Sequence, residues 1–153
     1  MNQHRLQRRI DAIYRFLEKQ STFVLSTVGE DGAVHSAPLY YLPTPALELF
    51  WLSSRSSQHS VDIEQNTQAS AAVFQPTFEW KQIAGVQMRG SCAMASEQQR
   101  ALHLDAYCER FHLGSIFSAA ISRATMYRFI PQWIRYIDNS RHFGYKFEIE
   151  PSA

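Results

Sequence analysis

The stretch GAVHSAPLYYLPTPALELFWLSSRSSQH (residues 32–59) decides the fold of this chain. Within it, AVHSAPLYY (33–41) and ALELFWL (46–52) combine β-branched, aromatic and alternating apolar residues, which favour strands of an antiparallel sheet. PTP (43–45) interrupts them, because proline has no backbone N–H to donate to a neighbouring strand. The apolar run then ends abruptly in a hydroxyl-rich, partly basic segment. The stretch therefore predicts two strands and a polar turn after the second.

A further strand precedes this stretch. TFVLSTV (22–28) has strand-like residues, and GEDG (29–32) has the composition of a tight turn, so a hairpin with 33–41 is predicted. Pro38 in its second strand needs a sheet edge or a bulge. Before the hairpin, apolar residues recur at helical spacing and predict an opening helix; they are Leu6, Ile10, Ile13, Tyr14 and Leu17.

The rest of the chain predicts alternating strands and helices. Bends or bulges are expected at Gly85 and Gly90, and Ser96 with Gln99 forms a capping-box pattern that begins a long helix. In order, the predicted elements are a short helix (60–66), strands (69–75 and 82–95), the long helix (96–111), a shorter helix (within 114–122) and two closing strands (123–130 and 143–149) on either side of PQWIRYIDNSRH (131–142).

Strands this short and hairpin-linked, without regular βα alternation, indicate a mainly β fold with helices. The expected architecture is a six- to seven-stranded antiparallel β-barrel flanked by α-helices. The chain has 153 residues, of which 45% are hydrophobic, enough for one sizeable core. Residues 1–153 are therefore expected to form a single domain.

Charge and motif content exclude several functions. The net charge of +1 provides no broad positive field for nucleic acid. No apolar leader or stretch of about 18 apolar residues is present, so a cytoplasmic protein without a membrane partner is expected. The six histidines lack metal-site spacing, and Cys92 and Cys108 lack a CxxC pattern, so no metal site is expected and both thiols are expected to be structural. GxSxG, GxGxxG and GxxxxGK[ST] motifs are absent.

The first candidate site is the polar turn after ALELFWL. Serine hydroxyls there can donate hydrogen bonds, and a helix that begins at Ser57 or Ser60 would add free N–H groups and a partial positive charge, which together suit a phosphate. Arg55 or His59 would add charge. A solvated loop with a helix cap explains the same residues equally well.

Two further candidate sites lie on strands, and a third lies between the two closing strands. Pro38 removes an N–H where a flat heterocycle could bind edge-on, although an ordinary edge strand has the same pattern. Gln87 and Arg89 share one strand face and would reach a ligand if that face lines a cleft, but outward positions are usually just solvated. Trp133 and Arg135 would stack on and pair with an aromatic anion, or would pack in a core or dimer contact.

The order of these motifs resembles the FMN-binding split-barrel family of pyridoxamine 5′-phosphate oxidase-like proteins, and most closely its YhbP-type uncharacterised bacterial members. The resemblance covers nearly the whole chain and rests on DGAVHSAPLYY, LFWLSSRSSQH, the short helix to Asn66, AAVFQ and GVQMRG. It implies a small antiparallel split barrel, usually a homodimer that holds two flavins at the subunit interface.

The resemblance also implies which residues bind the cofactor. They are Ser36, Ala37, Pro38, Leu39, Trp51, Leu52, Ser53, Ser57, Gln58, His59, Gln87, Trp133 and Arg135. The first four would present main-chain groups to the polar edge of the isoalloxazine ring. Trp51, Leu52 and Ser53 would lie beside the ring and the ribityl chain. Ser57, Gln58 and His59 would form the phosphate turn. Gln87 would reach the flavin from the partner subunit, and Trp133 and Arg135 would approach the ring.

Departures from the oxidases bear on activity. Gln58 and His59 stand where the oxidases have an Arg-Lys pair, so phosphate binding would be weaker or would depend on protonation of His59. The oxidase array for the substrate phosphate, Tyr-x-x-x-Arg-x-x-x-Ser, is not reproduced by Tyr107, Arg110 and Ser115. The closing Trp and Arg-Leu motif is likewise compressed to residues 133–135. Pyridoxamine 5′-phosphate oxidation is therefore not the expected activity.

The leading hypothesis is an FMN-dependent oxidoreductase that acts on a small molecule, with NADH or NADPH as a possible partner. No catalytic residues are assigned, because a flavin exchanges hydride with a nicotinamide without a general base. The alternatives are a non-catalytic flavin or haem carrier or sensor, with His35 or His59 as a haem ligand, and a split-barrel dimer that has lost its cofactor.

Overall fold

A computed structural model describes residues 2–151, and its centre is one antiparallel sheet of eight strands. The sheet order is β2-β1-β5-β6-β7-β4-β3, and β8 pairs with β7. The strands are β1 (Thr22–Val28), β2 (Val34–Tyr40), β3 (Leu42–Pro43), β4 (Leu49–Ser53), β5 (Gln68–Phe74), β6 (Ala84–Met94), β7 (Thr125–Asp138) and β8 (Lys146–Ile149). The predicted antiparallel split barrel is confirmed, and the additional strand is the two-residue β3.

Four α-helices flank the sheet, namely α1 (Gln3–Lys19), α2 (Gln58–Gln65), α3 (Glu97–Arg110) and α4 (Ser118–Arg123). The capping box predicted at Ser96 is present, because its hydroxyl accepts from the Gln99 N–H and the Gln99 side chain accepts from the Ser96 N–H. The short helix α2 begins two residues earlier than predicted. No helix within residues 2–151 is long and apolar enough to cross a membrane.

The inner faces of the strands and one stripe of α1 form the hydrophobic core. From α1, Ile13, Phe16 and Leu17 enter this core, as their helical spacing predicts. The Phe16 ring packs edge-on against Tyr136 of β7, and the Tyr41 hydroxyl donates to the Leu17 carbonyl at 2.6 Å. These contacts hold α1 against the strands.

β7 continues through Pro131 as one long strand. This corrects the prediction that the first closing strand ends at residue 130. β7 pairs with β6 on both sides of Pro131, because the register shifts between Arg89 and Gly90 and leaves Gln132 as an extra residue. A proline is tolerated there since a bulge does not require its missing N–H. The bulge predicted at Gly90 is therefore confirmed.

The two ends of the sheet path leave unpaired strand edges. β2 pairs only with β1, so Pro38 lies on an edge strand, as predicted. On β4, Leu49 and Phe50 pair with β3, whereas residues 51–53 pair only with β7. β2 and β4 approach each other, and helix α2 packs on β1 and β2. We call the space between these two edges the β2–β4 gap.

Candidate functional site

The β2–β4 gap brings together the predicted ring-edge strand and the predicted phosphate turn. Alternation along β2 places Ser36 and Pro38 on the exposed face and leaves Ala37 and Leu39 half-buried. Half of the main-chain N–H and C=O groups of an edge strand point away from its only neighbour. β2 therefore offers main-chain donors and acceptors to a ligand in the gap.

The β4 side of the gap is more enclosed. The Trp51 side chain is fully buried, stacks on Tyr127 and packs against Phe23, so Trp51 contributes to the core and has only main-chain groups near the gap. Leu52 and Ser53 are half-buried. Burial raises the pKa of Tyr107 on α3, and a hydrogen bond with the Leu52 backbone opposes that rise. Tyr107 therefore covers part of this edge.

Two buried polar atoms of the core beneath β4 have no hydrogen-bond partner within residues 2–151, the Trp51 Nε1 and the Tyr127 hydroxyl oxygen. Their residues pair across β4 and β7, and the Leu52–Met126 pair separates them from the Ser53–Thr125 pair. An unsatisfied buried polar group costs about 1–3 kcal/mol.

A hydrogen-bonded cluster of hydroxyls and one imidazole occupies the polar turn. The His59 Nε2 lies 2.7 Å from the Ser53 Oγ and 3.1 Å from the Ser57 Oγ. Ser57 Oγ also lies 2.8 Å from the Ser60 Oγ and donates to the Ser54 carbonyl at 2.7 Å. We call Ser53, Ser57, His59 and Ser60 the turn cluster. Its bonds join the end of β4 to the start of α2.

His59 does not supply the positive charge that the sequence suggested. Its side chain is buried, and this burial lowers its pKa below the ordinary value of 6.5, although Asp62 opposes the shift. The imidazole is therefore neutral at pH 7 and exchanges hydrogen bonds with serine hydroxyls. Without a bound anion, the folded chain therefore does not favour the protonated His59.

A pH prediction follows from the buried His59. Because its pKa is lower in the folded chain, the unfolded chain binds this proton more readily, and stability falls as the pH drops below about 6.5. Replacing His59 with glutamine, which keeps a hydrogen-bonding side chain, should reduce the loss of unfolding free energy between pH 7 and pH 5. Urea unfolding at both pH values measures this loss of unfolding free energy, and His112→Gln at an exposed position is the control. An unchanged loss would contradict the buried neutral state.

The start of α2 provides the anion-binding groups of the site. Ser57 is the N-cap residue, but its side chain makes no capping hydrogen bond. The backbone N–H groups of Gln58, His59 and Ser60 donate to no acceptor within residues 2–151. Free N–H groups at a helix N-terminus attract an anion, since the helix dipole adds positive potential. The predicted phosphate turn therefore has donors but no buried cation.

Arg55, the cation nearest to this turn in sequence, already has a partner. Its Nη2 donates to Glu64 Oε1 at 3.0 Å, and both side chains are largely exposed. Gln58 donates to Asp62 Oδ1 at 2.8 Å, so its side chain points along α2 and away from the N-terminus. Neither the Gln58 side chain nor the His59 side chain therefore replaces the Arg-Lys pair of the oxidases.

Sequence reasoning missed a buried carboxylate, Asp62, which ties α2 to the β1–β2 hairpin. Its Oδ2 accepts from Thr27 Oγ1 at 2.7 Å and lies 2.8 Å from His35 Nδ1, while Gln58 holds Oδ1. Burial raises the pKa of Asp62, but the hydrogen bonds from Thr27, Gln58 and His35 outweigh it and keep this pKa below its ordinary value. Asp62 is therefore ionised and fully hydrogen-bonded.

One signal could have revealed this network. In β1 the inward positions are Phe23, Leu25 and Thr27, so alternation places a hydroxyl on the buried face, where it needs a partner. Because ionised Asp62 can only accept, His35 donates from Nδ1, and in the neutral imidazole the lone pair would lie on Nε2. No residue within the described chain bonds that Nε2, and His35 is half-exposed.

The remaining predicted residues, Gln87, Trp133 and Arg135, lie together elsewhere. Gln87 pairs with Arg135 across β6 and β7, on the outward face of the sheet. Arg135 makes a two-nitrogen contact with Glu148 at 2.8 and 2.9 Å, and the Trp133 ring lies beneath the Arg89 and Arg135 guanidinium groups. None of the three hydrogen-bonds to the β2–β4 gap within residues 2–151.

The comparisons with known proteins agree with this architecture. The family model described as pyridoxamine 5′-phosphate oxidase matches residues 10–138, which is more than half of the chain. The match is to the family as a whole and does not single out a YhbP-type subgroup. No curated protein matches the chain significantly.

Solved structures show the same fold at low sequence identity. A putative pyridoxamine 5′-phosphate oxidase from Listeria innocua is 16% identical, with a TM-score of 0.66 over 85% of this chain and 98% of that one. A protein of the pyridoxinephosphate oxidase family from Clostridium acetobutylicum is 12% identical, with a TM-score of 0.67 over 94% and 95%. HutZ, the haem storage protein of Vibrio cholerae, is 19% identical, with a TM-score of 0.65 over 79% and 88%.

Proposed function

The chain belongs to the pyridoxamine 5′-phosphate oxidase family, and from this premise we propose that it is a homodimeric flavoprotein that binds FMN in the β2–β4 gap. The observation that carries the proposal is the set of free backbone N–H groups at the start of α2, beside the hydroxyls of the turn cluster. FMN has one terminal phosphate, which suits such a set of neutral donors.

The residues of the gap fit the other parts of FMN. Ser36, Ala37, Pro38 and Leu39 would present edge main-chain groups to the polar side of the isoalloxazine ring. Leu52 and Ser53, with the main chain of Trp51, would line the ribityl chain. A site of this kind binds without a permanent cation, so its affinity depends on neutral hydrogen bonds.

Bound FMN would supply hydride or electron transfer, and we propose a small molecule as the acceptor. The chain's own residues would orient the ring along β2, exclude water through Tyr107 and hold the phosphate at α2. Oxidation of pyridoxamine 5′-phosphate is not favoured. Arg110, which the oxidase array would need for the substrate phosphate, instead donates to the Leu17 and Gln20 carbonyls at 3.3 and 2.5 Å.

The homodimer is part of the proposal because the outward residues need a partner subunit. Gln87, Trp133 and Arg135 lie on the exposed face of β6 and β7, away from the gap of their own chain. In a symmetric dimer, the same face of the partner can complete each gap. Size-exclusion chromatography with light scattering tests this part, and a monomer that binds FMN with full affinity would contradict it.

Purification of the intact chain tests the function. A yellow protein that releases FMN on denaturation and is bleached by NADH or NADPH, with reoxidation by an added acceptor, is the expected result. A yellow protein that neither nucleotide reduces would favour a flavin carrier. A colourless protein that does not take up added FMN would reject the proposal and would favour a dimer without cofactor.

The turn cluster provides a mutational prediction. Ser53→Ala with Ser57→Ala removes two hydroxyls from the proposed phosphate site and should weaken FMN binding by about 2 kcal/mol, or roughly 30-fold. Flavin fluorescence quenching measures the affinity. Ser56→Ala is the matched control, because Ser56 lies in the same turn but contacts only Ser54. Equal affinities of the double variant and the control would reject the turn as the phosphate site.

A second candidate function is haem binding, which one observation favours. The His35 Nε2 has no hydrogen bond within residues 2–151, and the side chain is 38% exposed, so the neutral imidazole would offer a lone pair to an axial position. HutZ, which has the same fold, is described as a haem storage protein. A Soret band after haemin addition that disappears in His35→Ala would support this function. His59 is a poorer ligand because its Nε2 already bonds Ser53.

A further inference from the structure

A second polar recess lies between α1 and the β7–β8 connection, and none of its lining residues belongs to the proposed FMN site. Its volume is about 380 Å³. We propose that this recess binds a small ligand that carries two or more linked phosphate groups. The inference is independent of the FMN proposal, because the two sites share no residue.

Charge segregation is the first reason. The recess is lined by Arg5, Arg8, Arg9, Arg15 and Arg141, with Asp11 as its one acidic residue, so five positive charges less one negative charge give +4. The whole chain has a net charge of only +1. Positive potential is therefore concentrated here, and a concave shape strengthens it for a small anion.

Two of these arginines are held in place by aromatic side chains. The Arg9 guanidinium lies 4.8 Å from the centre of the Phe147 ring and donates to the Glu148 carbonyl at 3.1 Å. The Arg141 guanidinium lies 5.1 Å from the centre of the Tyr145 ring. Stacking on a ring restricts the orientation of the guanidinium plane. The β7–β8 side of the recess thus holds two guanidinium groups in fixed orientations, of which Arg141 is also paired with Asp138 at 3.6 Å.

The α1 side supplies cations that no acidic side chain neutralises. Arg5, Arg8 and Arg15 are exposed, and none forms an ion pair with another residue in the described part of the chain. Asp11 accepts a hydrogen bond from Gln7 at 2.9 Å. Mutual repulsion of these cations is relieved when a multivalent anion binds between them.

The spacing of the arginines favours linked phosphates over a single anion. Arg5 and Arg15 are ten residues apart on one helix, which corresponds to about 15 Å along its axis. A di- or triphosphate reaches more of these guanidinium groups at once than a single phosphate does, and each guanidinium can bind phosphate oxygens with two N–H groups. A recess of this volume suits a small ligand and not an extended nucleic-acid duplex.

Calorimetric titration of the full chain tests the proposal with tripolyphosphate, orthophosphate and citrate. We expect tripolyphosphate to bind at least about tenfold more tightly than orthophosphate or citrate, with an affinity that falls as the salt concentration rises. Arg8→Ala with Arg15→Ala should weaken tripolyphosphate binding by a factor of about ten or more. Arg8→Lys with Arg15→Lys keeps the charge but removes the forks, and should give an intermediate loss.

Lys81→Ala with Arg123→Ala is the control, because it removes two positive charges outside the recess. This control should bind tripolyphosphate like the unchanged protein, and circular dichroism verifies that every variant retains its helices. Three results would overturn the proposal: no tripolyphosphate binding, equal binding of citrate, or an equal loss in the control and the Arg8, Arg15 variant. FMN binding by the alanine variant should be unchanged, which separates this outcome from failure of the FMN proposal.

Discussion

Replacing Asp62 with alanine is expected to lower the free energy of unfolding by about 3 kcal/mol. The carboxylate accepts from Thr27, Gln58 and His35 and is nearly inaccessible to water. Its removal leaves the fully buried Thr27 hydroxyl without a partner and detaches α2 from the β1–β2 hairpin. Urea unfolding followed by circular dichroism measures the change.

Matched variants separate the buried network from a general effect of mutation on α2. Gln58→Ala removes only the exposed donor and should cost less than about 1 kcal/mol. Asp62→Asn keeps the shape but replaces one acceptor with a donor, and should fall between the two. If Asp62→Ala and Gln58→Ala destabilised the protein equally, the proposed role of the carboxylate in anchoring α2 would be contradicted.

The same network makes a pH prediction with a definite sign. The folded-state pKa of Asp62 lies below its ordinary value, so its contribution is fully present above about pH 4 and is lost as the pH falls through the folded pKa. The difference in unfolding free energy between the unchanged protein and Asp62→Asn should therefore shrink below about pH 4. A constant difference would mean that ionisation of Asp62 does not stabilise the fold.

Replacing Gly90 with alanine is expected to destabilise the protein by about 3 kcal/mol or to prevent folding. A Cβ atom at Gly90 would overlap the Ile130 carbonyl oxygen and come within 3.0 Å of the Phe129 ring. Both neighbours lie on β7, directly before the bulge around Pro131. The backbone cannot move away without breaking the β6–β7 pairing, so the strain is not relieved locally.

Gly114→Ala is the control for this substitution, because a Cβ atom there meets nothing within 4 Å and its φ is −73°. It should change the unfolding free energy by less than about 0.5 kcal/mol. If Gly90→Ala does not fold, expression of Gly90→Ser should fail as well, since any Cβ has the same overlap. A stable Gly90→Ala protein would contradict the close approach of β6 to β7.

Local patterns were sufficient to predict most of the barrel. The apolar spacing of α1, the Ser96 capping box and the alternation of Val86 and Met88 with Gln87 and Arg89 each predicted the observed element. The continuity of β7 was not predictable from its own residues. Pro131 is accepted in that strand because Gly90, about 40 residues earlier, lies opposite it at the bulge.

The candidate site was predictable in position but not in chemistry. Residue order placed HSAPLY and the polar turn on neighbouring parts of the fold, and they meet at the β2–β4 gap. The charge state of His59 depends on its burial, and the role of Asp62 depends on Thr27 and His35, which are far from it in sequence. Such contacts are set by tertiary packing, which a local pattern does not encode.

Equilibrium binding of FMN and riboflavin to the purified chain tests the central claim most directly. The two flavins differ only in the terminal phosphate, so their affinity ratio isolates the free N–H groups of α2 and the turn cluster. If these groups hold the phosphate, FMN should bind at least about tenfold more tightly than riboflavin. Equal affinities, or no binding of either flavin, would contradict the account.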